Sequence, residues 1–399
     1  DTDRSRGLGD VYKRQVPKSQ KWYNDIGKYQ IHIRLHKGVV YLHDNIKNKP
    51  RQERKDLVKQ LNEKRKSNDK VMPWMRKHLS ESAYASMEHC GDYLVMLEDD
   101  TGEHKKLDCG FFCKQRLCSG CAWRSAVKSA QCISAIAQKL ADEGLIMIFV
   151  TLTVPNVTGD RLRATVQHLG RSWLRLTKRN RYAVWRDGVR KVEITYNAKT
   201  DTYHPHMHMV LFVRPGYFKG KTYVSRAQLL EDWREVTGQP EITQVHIKRC
   251  KDLGATNAIL EVAKYSAKAS DYTHSEEVLD TFYAALHHTR MLTYFGRCRE
   301  LRDMYEDGKL SKYEELDTVR YTMRVVYIWQ RVANSYDVHD TQAYDMDAAE
   351  MERLHRDEKR LAQYACEQAK RQSELSHLFA TSWVREIERM DWHEIEVIE

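Results

Sequence analysis

The feature that most constrains the fold is a regular change of hydrophobic period between residues 145 and 269. Residues 145–154 form a continuous apolar run typical of a buried strand, and residues 160–179 repeat apolar side chains at helical spacing. Two alternating segments follow, 188–196 and 204–213, and the turn-rich residues between them predict a hairpin. A further helix, strand and helix are predicted at residues 225–237, 241–248 and 255–269. This order, β-α-β-β-α-β-α, predicts an α+β fold with a central antiparallel sheet and flanking helices.

A histidine-rich segment occupies the second strand of the predicted hairpin. It reads His204-Pro205-His206-Met207-His208 and continues into apolar residues. Because alternate side chains of a strand face the same side, His206 and His208 lie about 7 Å apart along one face, with His204 one step earlier. Two imidazoles presented in this way can chelate one divalent ion, although surface histidines on a polar strand edge would give the same spacing. Three alternating histidines that lead into an apolar strand favour a metal site.

A third ligand is expected from the preceding strand, which contains Glu193. Hairpin partners that share a face can bring a carboxylate beside the imidazoles. The sequence does not fix the register, and a slip of one residue would turn Glu193 to the opposite face. Two histidines and one carboxylate suit Mn²⁺ or Mg²⁺ at a phosphate-binding site, with Zn²⁺ as the alternative.

A second group of chemically active residues lies in the last predicted helix. Glu261, Tyr265 and Lys268 are spaced i, i+4 and i+7, which places them in one stripe of a helix. A phenol with a pKa of about 10 is a weak nucleophile unless a cation stabilises the phenolate, and a metal ion or Lys268 could supply that charge. Glu261 could then act as a general base towards a water molecule or a second hydroxyl group. A solvated helix face with a Glu–Tyr contact is the alternative explanation.

Four of the nine cysteines fall close together, at Cys109, Cys113, Cys118 and Cys121. Four thiolates suit a closed tetrahedral site, so the cluster predicts a structural Zn²⁺ ion. Incidental free thiols in a reducing compartment are the alternative. The other five cysteines, Cys90 among them, are expected to be buried apolar residues.

Charge divides the chain of 399 residues into two parts. Residues 300–399 hold 14 Lys and Arg against 23 Asp and Glu, a net charge of −9, whereas the first 299 residues carry +19. The basic part favours a polyanion such as nucleic acid as partner, although a basic surface also serves solubility. The longest apolar run is about half the length of a membrane span, so we expect no membrane partner and a cytoplasmic location.

These patterns predict four regions. Residues 1–15 resemble a translated adapter sequence and are expected to be a non-native leader. Residues 16–144 form a basic N-terminal region with the cysteine cluster, and residues 145–300 form the sheet domain. Residues 301–399 are expected to form an acidic helical C-terminal region, in which residues 346–376 have the pattern of a long charged helix.

Three motifs in this order resemble those of one protein family. They are the strand Phe149-Val-Thr-Leu-Thr-Val-Pro-Asn156, the His206-Met-His208 pair, and Glu261-x-x-x-Tyr265-x-x-Lys268. Together they resemble the replication initiators, or Rep proteins, of small rolling-circle plasmids, which belong to the HUH endonuclease superfamily. The resemblance implies that His206 and His208 bind a catalytic divalent ion. It also implies that Tyr265 is the nucleophile, Glu261 the base of the terminating step, and Lys268 a helper near the phosphate.

The resemblance therefore implies an HUH nuclease domain at residues 145–300, a metal-dependent enzyme that nicks and closes DNA through a tyrosine. Its implied partners are single-stranded or cruciform origin DNA and the helicase and polymerase of the host, and it is expected to act on the origin as a possible oligomer. The basic helix at 160–179 and Trp185 are expected to contact the strand. Two alternatives stay open: a single-strand transposase with the same chemistry, and a non-catalytic zinc-dependent DNA-binding regulator.

Overall fold

The computed structural model describes residues 57–220, 222–250, 253–264, 266–314, 317–347 and 350–356, with backbone alone for residues 253–256. Residues 1–15, Tyr265 and most of the predicted helix at 346–376 lie outside the described residues. The elements below belong to one compact unit, which contains the described residues from 57 to 314 together with residues 323–344. In the other unit, residues 350–356 are helical.

A five-stranded sheet forms the centre of the large unit. Its strands are β3 (Ile146–Thr153), β4 (Asp187–Asn197), β5 (Thr202–Val213), β6 (Val245–Arg249) and β7 (Leu292–Phe295). Their order across the sheet is β6-β3-β5-β4-β7. All neighbouring strands are antiparallel, so the predicted α+β fold with a central antiparallel sheet is confirmed. The predicted hairpin is the β4–β5 pair, which contributes the two longest strands of this sheet.

Helices cover both faces of this sheet. They are expected there because the strands are apolar on both sides, and both sides must be shielded from water. On the first face, Phe149, Val189 and Val210 pack in one hydrophobic cluster with residues of α3 (Ser119–Asp142), α6 (Leu253–Ala263) and α9 (Arg297–Glu306). On the second face, Val150 and Met209 pack in another cluster with residues of α4 (Gly159–Thr177), α5 (Arg226–Thr237) and α8 (Glu276–Leu286).

A second sheet joins the two ends of the large unit. Its strand order is β2-β1-β8-β9, with β1 at Tyr93–Glu98, β2 at Lys105–Gly110, β8 at Met323–Gln330 and β9 at Ser335–Ala343. The helices α1 (Leu57–Met75) and α2 (Glu81–Glu88) precede it, and Leu57 and Leu61 of α1 pack in the core of this sheet.

The prediction of a helical C-terminal region is therefore wrong for residues 323–343. Val325, Tyr327 and Trp329 alternate along β8 and are buried, which is the period of a half-buried strand. The Tyr327 hydroxyl donates to Glu98 Oε1 at 2.7 Å, across 229 residues of sequence. Residues 93–110 and 323–343 thus share one sheet, across the boundary predicted at residue 301.

The helix α6 ends earlier than its pattern predicts. It stops at Ala263, not at residue 269, and Lys268 instead begins the short helix α7 (Ala269–Tyr272). The Ile194 N–H of β4 donates to the Ser266 carbonyl at 2.8 Å, which draws the chain onto the sheet edge. Glu261 and Lys268 therefore do not share one helical stripe. Among the described residues, no helix is both long enough and apolar enough to cross a bilayer.

Candidate metal centre

The β4–β5 register places the predicted carboxylate and histidines on one face of the sheet. Glu193 lies directly opposite His206, and Lys191 lies opposite His208. Directly opposed residues of antiparallel strands share a face, and residues two apart on one strand do so as well. The register that the sequence left open thus brings Glu193, His206 and His208 together on the first face, the side packed by α3 and α6.

The three side chains form a compact donor group. Glu193 Oε2 lies 3.7 Å from His206 Nε2 and 3.5 Å from His208 Nε2. These distances are long for a good hydrogen bond, but two bonds of about 2.1 Å to a shared ion would span them. The ligand atoms of all three residues lie within 4.8 Å of one another, so the group fits a single divalent cation.

The second nitrogen of each imidazole is held by a neighbour. His206 Nδ1 lies 3.1 Å from the His204 carbonyl, and because a carbonyl only accepts, Nδ1 carries the proton. His208 Nδ1 lies 3.0 Å from Thr151 Oγ1, and the ring stacks on Phe149. The carbonyl requires the proton of His206 on Nδ1, and the Thr151 hydroxyl can accept one from Nδ1 of His208. With Nδ1 protonated, the Nε2 lone pair of each ring faces Glu193, which is the arrangement typical of metal-binding histidines.

Burial of these ionisable side chains destabilises the fold unless their charges are compensated. Glu193 is 4% exposed, His206 9% and His208 8%. Burial raises the pKa of the Glu193 carboxyl, but when no metal ion is bound and His206 and His208 carry a proton on Nε2, their hydrogen bonds and charge outweigh burial and hold the pKa well below its usual range. The group is therefore a buried anion beside two imidazoles, which would be stabilised by a bound cation.

Sequence reasoning missed Lys191, a buried cation of the same face. It is 8% exposed and stands two residues before Glu193 on β4. Burial and the nearby Arg116 guanidinium lower the pKa of Lys191 to about 8, against a smaller opposing effect of Glu193. The signal was present, because a lysine at the same strand period as Glu193 must face the same side.

Of the three residues predicted in the last helix, Glu261 reaches the metal centre. Glu261 Oε1 lies 3.7 Å from His208 Nε2, and its other oxygen pairs with Lys264. Lys268 is exposed at the start of α7. Tyr265 lies outside the described residues. Tyr272, the next tyrosine along the chain, is buried beside Phe282.

A tetracysteine group forms as the sequence predicts, but with one different member. It contains Cys90, Cys113, Cys118 and Cys121. Cys90 Sγ lies 3.5 Å from Cys118 Sγ and 3.6 Å from Cys121 Sγ, and Cys113 Sγ lies 3.7 Å from Cys121 Sγ. A tetrahedron with Zn–S bonds of about 2.3 Å has sulfur–sulfur edges of about 3.8 Å, so the group has the size of a zinc site.

Cys109 is excluded from this group by its strand. It lies in β2 opposite Val95, where its thiol contacts Arg324 of β8. Cys90 takes its place because the chain turns back after α2. The turn uses Gly91, whose φ of +84° suits glycine and whose N–H donates to the Phe111 carbonyl at 2.7 Å. The expectation that Cys90 is an isolated buried residue is therefore wrong.

Backbone N–H groups point at the sulfur atoms of this group. The N–H of Lys114 donates to Cys121 Sγ at 3.2 Å, and that of Cys113 donates to Cys90 Sγ at 3.4 Å. Hydrogen bonds from Cys113, and after it from Cys118 and Cys90, hold the pKa of the Cys121 thiol well below its ordinary value. Donors of this kind stabilise thiolates, so the site is prepared for a cation.

The basic helix and the tryptophan that were expected to contact DNA lie away from the metal centre. The helix α4 packs on the second face of the central sheet, opposite the metal centre, and its neighbour Arg179 is paired with Asp232 at 2.9 Å. Trp185 is 2% exposed, and its indole N–H donates to the Tyr217 hydroxyl. Stacking of a base on Trp185 is therefore ruled out, and α4 does not border the metal centre.

Comparison with known families assigns this chain to the replication proteins. The model of the Rep_1 family, described as replication protein, matches residues 104–337. The matched span runs from β2 to β9 and contains the whole central sheet. The chain belongs to this family, and the resemblance to plasmid replication initiators is confirmed.

Individual relatives agree with this assignment. A protein named Protein rep from Staphylococcus aureus is 38% identical over 218 residues, which cover 54% of this chain and 95% of that relative. A Protein rep from Streptococcus pneumoniae is 32% identical over 273 residues, or 65% of this chain and 85% of the relative. One from Bacillus amyloliquefaciens is 31% identical over 261 residues, or 58% and 77%. No solved structure gives a significant match.

Proposed function

We propose that this replication protein initiates rolling-circle replication by nicking one strand of origin DNA with Tyr265. The observation that carries the proposal is the buried group of Glu193, His206 and His208, whose ligand atoms converge on one point of the first face. Membership of the Rep_1 family supplies the context of replication. Glu261 borders the same group, four residues before Tyr265 in the sequence.

The proposed reaction is a transesterification. The Tyr265 phenol oxygen attacks the scissile phosphorus in line, and the bond from phosphorus to the 3′ oxygen breaks. The phenol loses a proton and the departing 3′ oxygen gains one, which leaves a 5′-phosphotyrosine link and a free 3′-OH. A divalent ion, when bound by the metal centre, supplies positive charge to the phosphate. Because the link keeps the phosphodiester energy, rejoining needs no nucleotide cofactor.

The chain's own residues prepare this centre. Thr151 and the His204 carbonyl fix the orientation of the two imidazoles, and Glu193 balances the charge of a cation. We assign the general-base role in the terminating step to Glu261, because its free oxygen faces His208 while Lys264 holds the other. Lys268 is proposed to assist at the phosphate.

The two donor sets favour different cations. One carboxylate and two imidazoles suit Mn²⁺ or Mg²⁺ in the catalytic centre. Four sulfur ligands suit Zn²⁺, and we propose that Cys90, Cys113, Cys118 and Cys121 hold one zinc ion as a structural element. The proposed partners are single-stranded or cruciform origin DNA and the host helicase and polymerase, since the free 3′-OH can prime synthesis.

The test of this function is a covalent adduct. The protein is incubated with single-stranded origin DNA and Mn²⁺, and adducts that survive denaturation are quantified and mapped by mass spectrometry. We expect one adduct at Tyr265 and none from Tyr265→Phe, which removes only the phenol oxygen. Tyr223→Phe, a change at a 44% exposed tyrosine, is the matched control and should form the adduct normally.

Several outcomes would contradict the proposal. An adduct that persists in Tyr265→Phe, or that maps to Tyr272, would refute the assignment of the nucleophile. The lack of any adduct across origin fragments, with specific DNA binding intact, would favour a non-catalytic regulator. Joining of donor to target DNA would favour a single-strand transposase.

A further inference from the structure

A basic cavity is lined by Lys191 of β4, the strand that also carries Glu193 of the metal centre. It has a volume of about 320 Å³. Its walls are the loop of the tetracysteine group, the first turns of α3, the β4 residue Lys191, the segment that follows α6, and the stretch between α8 and β7. None of the roles proposed above uses this cavity.

The charge of the lining is one-sided. Of the lining residues that the structure describes, four are cations, namely Lys114, Arg116, Lys191 and Arg290, and none is a carboxylate. Hydroxyl groups of Ser125, Ser129 and Ser266 add further polar contacts. This composition fits the phosphate of a nucleic acid.

Lys191 is the buried member of the set. Its side chain forms no hydrogen bond or ion pair with any residue in the described ranges, although it is only 8% exposed. Glu193, on the same strand, is engaged by the two imidazoles. A cation buried without a partner is costly, and an anionic ligand would remove that cost.

Arg116, another cation of the lining, is held in place by the backbone. Its guanidinium donates to the carbonyls of Leu286 and Thr289, the latter at 2.8 Å. These bonds fix its position, and no carboxylate among the described residues pairs with it. Together with the buried Lys191 they make a preorganised site, which costs less to fill than a site built from mobile surface cations.

The cavity is close to the place where the scissile phosphate would bind. Lys191 lies opposite His208 in the register and two residues from Glu193, a separation of about 7 Å along one strand. Ala263 and Ser266, which flank Tyr265 in the sequence, line the same cavity. Single-stranded DNA held over the metal centre could therefore place a neighbouring phosphate among these cations.

We propose that Lys191, Arg116 and Arg290 bind a backbone phosphate of the single-stranded substrate, next to the phosphate that is cleaved. The position relative to the cleaved phosphate rests on the function proposed above, whereas the binding of a single strand does not. Lys191 and Arg290 are in this sense substrate-positioning residues.

The test measures binding without cleavage. Affinity of the full chain for a fluorescent oligothymidylate is measured by anisotropy over a range of salt concentrations, without added Mn²⁺ or Mg²⁺ and without a chelator, so that the tetracysteine group keeps its metal. Arg290→Gln and Lys191→Met should each weaken binding about tenfold at low salt, as expected for loss of a charge-assisted phosphate contact. The double variant should weaken binding by less than the product of the two, because both residues serve one phosphate. In each single variant, the negative slope of log affinity against log salt concentration should become less steep by about 0.7.

Each of two control variants removes one positive charge at an exposed position outside the cavity lining. Lys199→Gln lies in the exposed turn between β4 and β5, and Arg161→Gln lies on the exposed side of α4. Both should bind as the unchanged protein does. Arg290 is exposed, so its variant stays informative if Lys191→Met fails to fold.

Equal affinity of Arg290→Gln and the unchanged protein, or equal weakening by the control variants, would overturn this inference. The outcome is independent of the adduct test. Adduct formation at Tyr265 with unchanged binding in the cavity variants refutes the cavity alone. Cavity-dependent binding without an adduct leaves the phosphate site standing and refutes the nicking function.

Discussion

The positions of single atoms decide the chemistry of the metal centre. His206 and His208 are placed by strand periodicity, but their use as ligands depends on which nitrogen carries the proton. The His204 carbonyl fixes this for His206, and the Thr151 hydroxyl, which can accept a hydrogen bond from Nδ1, holds the ring of His208 in place. A hydroxyl group that contacts no metal thus controls how well a histidine can bind one.

Thr151→Val tests this role, because it removes the hydroxyl group and keeps the shape of the side chain. We expect Mn²⁺ affinity to fall by about 10- to 100-fold, the usual cost of losing a partner of a metal-binding histidine. Isothermal titration of the metal gives the comparison. Thr153→Val is the control, since the Thr153 hydroxyl donates to the Gln244 carbonyl and not to an imidazole. An unchanged affinity in Thr151→Val would contradict the role.

Glu261 offers a second prediction at this scale. If it acts as the base that ends a round of replication, Glu261→Gln should keep most of the nicking rate and lose release of the protein from DNA. A modest loss of nicking, less than about tenfold, is expected because the carboxylate lies 3.7 Å from His208 Nε2. Single-turnover nicking and release of the adduct are measured separately. Equal losses in the two steps would argue that Glu261 only orients its neighbours.

At the scale of elements, the cysteine group shows where sequence proximity misleads. Cys109 is four residues from Cys113, yet the extended strand β2 carries it to the side of Arg324. Cys90 is 23 residues from Cys113, yet the turn after α2 returns it to the group. Buried Arg65 supports this turn by donating to the Cys90 carbonyl at 2.9 Å. Ligand spacing along a chain predicts a metal site well only where no strand intervenes.

The matched pair Cys90→Ser and Cys109→Ser separates the two ligand sets. We expect about one zinc ion per chain in Cys109→Ser and in the unchanged protein, and a loss of most zinc in Cys90→Ser, because serine is a poor zinc ligand. Elemental analysis of the purified proteins provides the measurement. Full zinc content in Cys90→Ser together with loss in Cys109→Ser would restore the cluster predicted from the sequence.

At the scale of the whole molecule, local patterns predict the central sheet and fail for the second one. The hairpin of β4 and β5 and the order of helices follow from hydrophobic period and turn residues. The β1–β8 pair joins residues more than 200 positions apart, and no local signal selects such a partner. Local patterns also fail to predict the end of α6. The hydrogen bond from the Ile194 N–H to the Ser266 carbonyl depends on β4, which is far away in the sequence.

The residues of the candidate site also differ in whether local sequence patterns predict them or only the tertiary structure reveals them. His206 and His208 follow from periodicity alone, whereas the approach of Glu193 needed the register and that of Glu261 needed the packing of α6. Lys191 was readable from its period but had no chemical role until the cavity beside it was known. The predicted contacts of Trp185 failed because its burial depends on Tyr217, from a separate segment.

The central claim is that Glu193, His206 and His208 bind the divalent ion on which nicking depends. The most direct measurement is Mn²⁺ bound per chain, by paramagnetic resonance, together with adduct yield in the same samples. We predict one bound Mn²⁺ at this centre, with binding and adduct both lost in Glu193→Gln, His206→Ala and His208→Ala. Both should be retained in His339→Ala, a change at an exposed histidine of β9. Full adduct yield of the unchanged protein in EDTA, or Mn²⁺ binding that survives all three substitutions, would contradict the account.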